Sequence, residues 1–500
     1  MIRAKLLFFF LLAMGLTIIL NSPLFFQDVP AANAMTSPET HQVRPEMQPA
    51  AENAALMAQF GLGDIFKIEE TIDNRIDRFE SSIRSRVPNI LQPLLPDDLL
   101  SLENQRIFEF SNYFDKELPE FERQPEDIQD ILERITHATG QRHGMVYVSY
   151  PEEGEGLNFL LFAPNTPPQT LYTEERGHKE ITALVDKFRA DLVMSLRRKN
   201  VDYKKTSREL YDIVIAPIVP YLQASQIDSL IFSLDEGLRS LPIAALYDGD
   251  RYLIEKYSLA VVPSFYNINS SYMSLKKSPV LAMGADSFKE LDPLPGVEVE
   301  VGAIANLTQG QSFLNETFTV ENLKQTRQSQ RFPIVHLATH AQFNSGKPKK
   351  SSIYLWNDEL RLSELDKLNL DNPPLDLLVL SACQTALGSR DAELGFSGLT
   401  IASGATSALG SLWSVSDAGT LVLMQNFYQK LQTEPTKAAA LRRAQLEMLH
   451  GDLQIVNGQV RLASGLSANI QISEKVEAVT TNDLMHPYYW SGFTLVGRPW

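Results

Sequence analysis

One thiol and a few imidazoles are the side chains of this sequence that could do nucleophilic chemistry. The chain holds a single cysteine, Cys383, and eight histidines. Thiolate is the reactive form of cysteine, and a neighbouring imidazole supplies it by taking the thiol proton and later returning it to a leaving amine. Two histidines stand in one apolar run, Ile334-Val335-His336-Leu337-Ala338-Thr339-His340, and Cys383 ends another, Leu375-Asp376-Leu377-Leu378-Val379-Leu380-Ser381-Ala382. A lone cysteine is often inert core filler, so the thiol by itself argues little. Placement argues more, because ligands of open parallel α/β sheets bind beyond the carboxyl ends of the strands. His336 and His340 are four residues apart and share a face of an extended strand. His336 lies deeper and suits a core hydrogen bond, which leaves His340 as the favoured base.

For these residues to meet, their strands must be neighbours. The segment SSIYLWNDELRLSELDKLNL between them is long enough for a hairpin and a crossover helix capped at Ser363, which would set the two strands side by side. Similar short apolar runs recur at MVYVSY, LNFLLFAP, DSLIFSL, YSLAVVPS, PVLAMGA and SALGSLWSV. The first two flank the acidic turn PEEGEG and read as a hairpin. Helical stretches are expected from Thr173 to about Lys199 and from Ser207 to Leu222. Such alternation implies an α/β fold with a mostly parallel sheet buried on both faces.

Ahead of this lies different material. From Leu62 to about His137 the apolar residues Ile65, Ile68, Ile72, Ile76 and Phe79 fall at helical spacing, and Gln124-Pro125-Glu126-Asp127 opens a further helix with acids in its first turn. A small helical region over 61–138 is expected, with no fixed-period repeat. Residues 35–60 read as a flexible linker. The first 34 residues combine Arg3 and Lys5, the apolar LLFFFLLAMGLTIIL and an Ala32-Asn33-Ala34 cleavage pattern, an export signal. Because apolar character resumes at Leu24-Phe25-Phe26, residues 6–26 could instead stay as a membrane anchor. Either way the chain is expected in the periplasm or cell envelope, where one cysteine allows no internal disulfide.

Charge and composition narrow the partners. Five hundred residues with 44% hydrophobic and 21% charged residues fit a globular chain of two or three domains. A net charge of −16 repels phosphate backbones, so nucleic acid is not an expected partner. No metal-ligand spacing and no Walker or dinucleotide loop is present, so neither metal nor cofactor is expected. Glu298 and Glu300 after Leu294-Pro295-Gly296 are candidates for paired carboxylates, with a solvated helix entrance the favoured reading, and His486 in HPYYW reads as part of an aromatic cluster packed on the sheet.

HLATHA followed by LVLSACQTALG resembles the CHAT family of caspase-like cysteine peptidases. So do YDIVIAPIVPYL, SLDEGLRSLPIAALYDGDRYLIEKYSLAVVPS, LPGVEVEVGAI, GLTIASGATSALGSLWSVSD, AAALRRAQLEML and HPYYWSGFTLVGRPW, in family order from about residue 140 to Trp500. The resemblance implies a caspase-like domain over 139–500 whose general base is His340 and whose nucleophile is Cys383. It also implies an oxyanion site formed by the backbone N–H groups of Ala341 and Cys383. Related enzymes often carry Gly after the histidine; Ala341 keeps the donor but tolerates positive φ poorly. The run Leu412-Trp413-Ser414-Val415-Ser416-Asp417 is similar to the substrate-binding strand of separases, which implies an S1 pocket of Trp413 and Asp417 selecting Arg or Lys. Asp417 as an N-cap for a helix starting near Ala418 is the alternative. The implied function is an exported endopeptidase acting on protein or peptide substrates. A non-catalytic envelope scaffold is the rival reading, and the helical region is the expected surface for a regulatory partner.

Overall fold

The computed structural model describes residues 96–500, apart from 119, 121, 175, 199, 266–270, 386–388, 457–458, 463–466 and 472–478. The expected export signal, the linker and residues 61–95 of the helical region lie outside the described residues.

Helices α1 (Pro96–Phe114) and α2 (Pro125–Thr139) precede the strands β1 (His143–Ser149), β2 (Leu157–Ala163) and β3 (Thr166–Thr173). Next come α3 (His178–Ser195), α4 (Tyr203–Val214), β4 (Ser229–Leu234), β5 (Ser258–Val261) and β6 (Val280–Gly284). After α5 (Val297–Thr308), β7 (Gln311–Leu314) and α6 (Val320–Ser329), the chain enters β8 (Ile334–Phe343). The hairpin β9 (Ser352–Leu355) and β10 (Asp358–Arg361) and a 3-10 helix over Leu362–Leu368 lead to β11 (Leu377–Thr385). Then come α7 (Arg390–Ser397), β12 (Ser407–Ser411), α8 (Asp417–Leu431) and α9 (Lys437–Leu449). A small antiparallel sheet of β13 (Leu453–Val456), β14 (Gln459–Leu462) and β15 (Ser467–Gln471) stands apart in the pairing from β16 (Phe493–Gly497), which returns to the main sheet.

Among the described residues the main sheet has thirteen strands in the order β10-β9-β8-β11-β12-β16-β5-β4-β1-β2-β3, with β6 joining β8 and β7 joining β6. The pairings β8 with β11, β11 with β12, β4 with β5 and β1 with β4 are parallel, while the hairpins at both ends are antiparallel. This is the α/β fold expected from the alternation of apolar runs and helices. Burial on both faces explains why the strands read as continuous apolar runs. In β1 and β2, Met145, Tyr147, Leu160 and Phe162 join a core with Leu99, Ile107, Ile128 and Leu132 of α1 and α2. The alternate residues Val146, Val148, Phe159 and Leu161 face the larger core on the other side.

Packing of α1 is also polar. Its Arg106 forms a buried ion pair with Asp235, and its Glu103 accepts hydrogen bonds from the Tyr147 hydroxyl and the Phe265 amide at 2.5 and 2.8 Å. Residues 103 and 106 lie one turn apart, so one helix face delivers both. The described part of the helical region thus lies on the sheet.

Three elements depart from expectation. The crossover expected to be capped at Ser363 is a 3-10 helix over Leu362–Leu368 whose N-cap is Arg361, so Ser363 lies within it. β3 carries Pro167 and Pro168 and only half-buried residues along most of its length; it is tolerated because it is an edge strand, where a missing N–H breaks no ladder. The second helical stretch stops at Val214, because Pro217 and Pro220 divide its remainder into a 3-10 turn over Ala216–Ile218 and a short helix over Val219–Ala224.

Candidate active site

β8 and β11 are adjacent and parallel, as the connecting hairpin and crossover require, and their register sets the site. Leu337 pairs with Leu380, but the next pair is His340 with Ala382, so β8 places Ala338 and Thr339 where β11 places Ser381 alone. Such an irregularity bends the strand and re-aims the side chains beyond it. Past the bend, Cys383 pairs with Ala341, Gln384 with Gln342 and Thr385 with Phe343. Paired strands run ~4.8 Å apart. The backbone of Cys383 is therefore a diagonal neighbour of His340.

Both residues sit inside strands that continue past them, whereas the apolar runs of the sequence end at them. Further pairing of Ala341 and Gln342 with Ile353 and Ser352 of β9 extends β8. His340 occupies a gap on that side: β6 ends its pairing at Gly284 with Ala338, and β9 begins only at Ala341. The chain leaving β6 meets the His340 side chain. Its Phe288 ring meets the His340 ring edge-on at 4.7 Å, and the Asp292 carbonyl lies 2.8 Å from His340 Nε2. A carbonyl oxygen only accepts, so Nε2 carries a proton and, in the neutral ring, Nδ1 is the basic nitrogen. Nothing in the sequence marked Asp292, because its contribution is a backbone atom.

His340 borders a cavity of about 270 Å³ that is also lined by Asp292, Glu300, Ser381, Asp417 and Thr420. Asp417 is the first residue of α8. The cap is Ser416, whose hydroxyl accepts the Gly419 amide at 3.3 Å, so the capping alternative for Asp417 falls. The Asp417 carboxylate instead accepts the Gly296 amide at 2.7 Å. A Cβ at Gly296 would stand 2.8 Å from both carboxylate oxygens, so a side chain there would disturb the contact. Burial pushes the Asp417 carboxyl up to about 6, with the Gly296 hydrogen bond opposing and Glu300 adding to the rise.

Trp413 departs from its expected place. β12 ends at Ser411, and Trp413 lies in the loop beyond it, 3% exposed. Its indole N–H donates to the Tyr488 carbonyl at 3.1 Å and its ring stacks on Tyr488, while a Cβ on Gly492 would touch it at 2.9 Å. The side chain is committed to the C-terminal segment and does not line the cavity. Ala341, 1% exposed, is paired on both sides and keeps a negative φ, so alanine carries no strain there.

The two other imidazoles singled out from the sequence, His336 and His486, are structural in their contacts. Buried His336 has Nδ1 3.2 Å from the Tyr428 hydroxyl. His486 accepts the Tyr488 amide and meets the Ser195 hydroxyl at 3.0 Å; burial lowers its pKa to about 4. Glu300 overturns the solvated-entrance reading. Glu298 is exposed, but Glu300 is 1% exposed and reaches within 2.9 Å of His336 Nε2. Residues two apart on a helix point away from each other. Glu300 falls on the same stripe as Val297, Val301 and Ile304, a spacing that could have placed it inward from sequence.

The CHAT domain family matches residues 204–498, more than half of the chain, and the protein belongs to that family. Tetratricopeptide repeat protein 28 of Mus musculus is 25% identical over 365 residues, which span 60% of this chain and 14% of that protein. The human counterpart is 24% identical over 364 residues, covering 60% and 13%. The chain thus spans a small part of these relatives. Among solved structures, a Saccharomyces cerevisiae separase–securin complex aligns over 75% of this chain and 31% of that one, at 10% identity and a TM-score of 0.40. A complex of the pro- and mature domains of Porphyromonas gingivalis RgpB covers 64% and 76%, at 8% identity and a TM-score of 0.33.

Proposed function

We propose that the protein is a cysteine endopeptidase with Cys383 as nucleophile and His340 as general base. The observation that supports this reading is that the one cysteine of the chain lies on β11, the strand paired with β8, one position beyond the backbone partner of the cavity-lining His340. His340 Nδ1 takes the thiol proton, and the sulfur attacks the scissile carbonyl carbon to give a tetrahedral oxyanion. Backbone N–H groups of Ala341 and Cys383 stabilise that charge. Collapse breaks the C–N bond, and the imidazolium proton leaves with the amine. A water molecule deprotonated by the same imidazole then cleaves the thioester and regenerates the thiol. The Asp292 carbonyl holds the ring in the tautomer these steps need. Asp417 provides the negative wall of the S1 pocket and selects Arg or Lys before the scissile bond, a role supported by its place on the same cavity as His340.

A peptidyl acyloxymethyl ketone with Arg at its first position tests this. Expected is one covalent adduct on Cys383 in the wild type, with labelling lost in C383A and at least ~100-fold slower in H340A. Folded, reduced protein that takes no label would favour a non-catalytic CHAT scaffold. The segment 1–34 supports an exported enzyme acting in the periplasm or cell envelope, and the helical region supports a regulatory protein partner. Recovery of the full-length chain from the cytoplasmic fraction alone would overturn the export.

A further inference from the structure

Glu300 is a carboxylate that the peptidase reading leaves without a role. It sits on α5 with the apolar residues Val297, Val301 and Ile304, is 1% exposed, and forms part of the cavity wall that also holds Asp417 and His340. Its Oε1 lies 2.9 Å from His336 Nε2, yet neither atom completes a hydrogen bond, so the two are close without being aligned. A buried carboxylate in that condition is costly, whereas buried polar groups are normally satisfied. The neighbouring hydroxyl of Tyr428 is engaged with the other nitrogen of His336. Glu300 also acts on Asp417 through space, adding to the rise of that carboxyl. Two carboxylates therefore share one small cavity, and one of them has an unfilled acceptor.

We propose that Glu300 is a second specificity carboxylate of this pocket, forming with Asp417 a two-carboxylate floor that prefers a guanidinium to an ammonium. The inference rests on the peptidase reading for its substrate and goes beyond it in the residue and in the discrimination. A guanidinium is a planar fork of five N–H donors that can serve two acceptors from different elements at once. Lysine is a compact, strongly hydrated charge that one carboxylate satisfies. Asp417 comes from the start of α8 and Glu300 from α5, so the fork would bridge two elements. Such bridging is worth the difference between one and two charge-assisted hydrogen bonds.

The test uses the full chain and two readouts. With fluorogenic peptides differing only in Arg, Lys or citrulline at the first position, E300Q should lower the Arg-to-Lys ratio of kcat/KM about tenfold. D417N should lose cleavage after both. A ratio unchanged within about twofold in E300Q overturns the proposal even though the peptidase stands. Should E300Q melt far below the wild type, Glu300→Asp is read in the same ratio, where withdrawal of the carboxylate should lower it and no change overturns the role. H336Q separates structure from selection: it removes the His336 contact and should leave the ratio as in the wild type, and a drop equal to that of E300Q would overturn the proposal. The second readout needs no turnover. Benzamidine, an amidinium, should bind the C383A chain and bind C383A/E300Q about tenfold more weakly by calorimetry. No binding to C383A, or equal binding to both, overturns the pocket; Glu300-dependent binding by a chain that cleaves nothing overturns only the peptidase.

Discussion

Replacing Asp417 with Asn should stabilise the folded chain, and by an amount that depends on pH. The Asp417 carboxyl stands at about 6 against an ordinary 3.8, raised first by burial and then by Glu300. Below the unfolded value it is protonated in both states, and D417N and the wild type differ only as amide and acid. As pH rises through the window from about 4 to about 6, the unfolded chain has already given up its proton while the folded chain still holds it. Native Asp417 therefore costs stability that grows across this window and levels off above the folded value. Two pKa units correspond to about 3 kcal/mol at pH 7.5. For roughly 400 folded residues the unfolding entropy near 60 °C is about 0.8 kcal/mol per degree, so this becomes a rise of about 4 °C in Tm for D417N over wild type. The amide oxygen can still accept the Gly296 N–H, so that contact survives in the variant. Paired melts of both proteins at pH 4 and pH 7.5 give the result as a difference of differences. A Tm gap that is the same at both pH values, or larger at pH 4, would refute the reasoning.

Trp413→Phe should leave cleavage selectivity unchanged in a substrate panel and lower stability by about 1–2 kcal/mol in denaturant melts, because the indole hydrogen bond to the Tyr488 carbonyl is lost while the cavity wall is untouched. Glu393→Ala should cost about 2–4 kcal/mol, since buried Glu393 accepts from the Gly237 amide and the Ser240 hydroxyl and ties α7 to the loop after β4. Thermal melts against Glu393→Gln, which keeps an acceptor, check this. Asp376→Asn should cost about 3–5 kcal/mol, because Arg498, 2.7 Å away and 3% exposed, would be left as a buried charge without its partner. Restoration of the melt by a second change of Arg498→Met would confirm the pairing as the cause.

Much of the architecture was legible in the order of residues alone. Continuous apolar runs marked β1, β2, β4, β5, β6, β8, β11 and β12 because a strand buried on both faces has no polar side to hide. Proline after Gln124 and acids behind it marked α2, since those residues fit the first turn of a helix. β3 was not legible: as an edge strand it needs little apolar surface, and its prolines argue against a strand anywhere else. Ser416 rather than Asp417 as the cap lay within the one-residue uncertainty of any helix start.

For the site, the division follows physical cause. Residue chemistry and the order of strands along the chain were enough to single out His340 and Cys383, because few side chains can attack or accept a proton at neutral pH and these two close apolar runs; Asp417 was singled out only by the resemblance of residues 412–417 to a substrate-binding strand. Four matters were settled only by the tertiary structure. The extra residue of β8 opposite Ser381 sets Cys383 against Ala341, a register that depends on hydrogen bonds between distant segments. The Asp292 carbonyl reaches His340 from the loop between β6 and α5, a contact between segments 48 residues apart. Trp413 turns away because Tyr488 and Gly492, far along the chain, offer it a closer fit. Glu300 turns inward with its helix stripe, and only packing against His336 and Asp417 makes that burial a feature of the site. Sequence names the groups able to do chemistry; which of them share a cavity is decided by contacts between residues tens to hundreds of positions apart, and no local pattern encodes those.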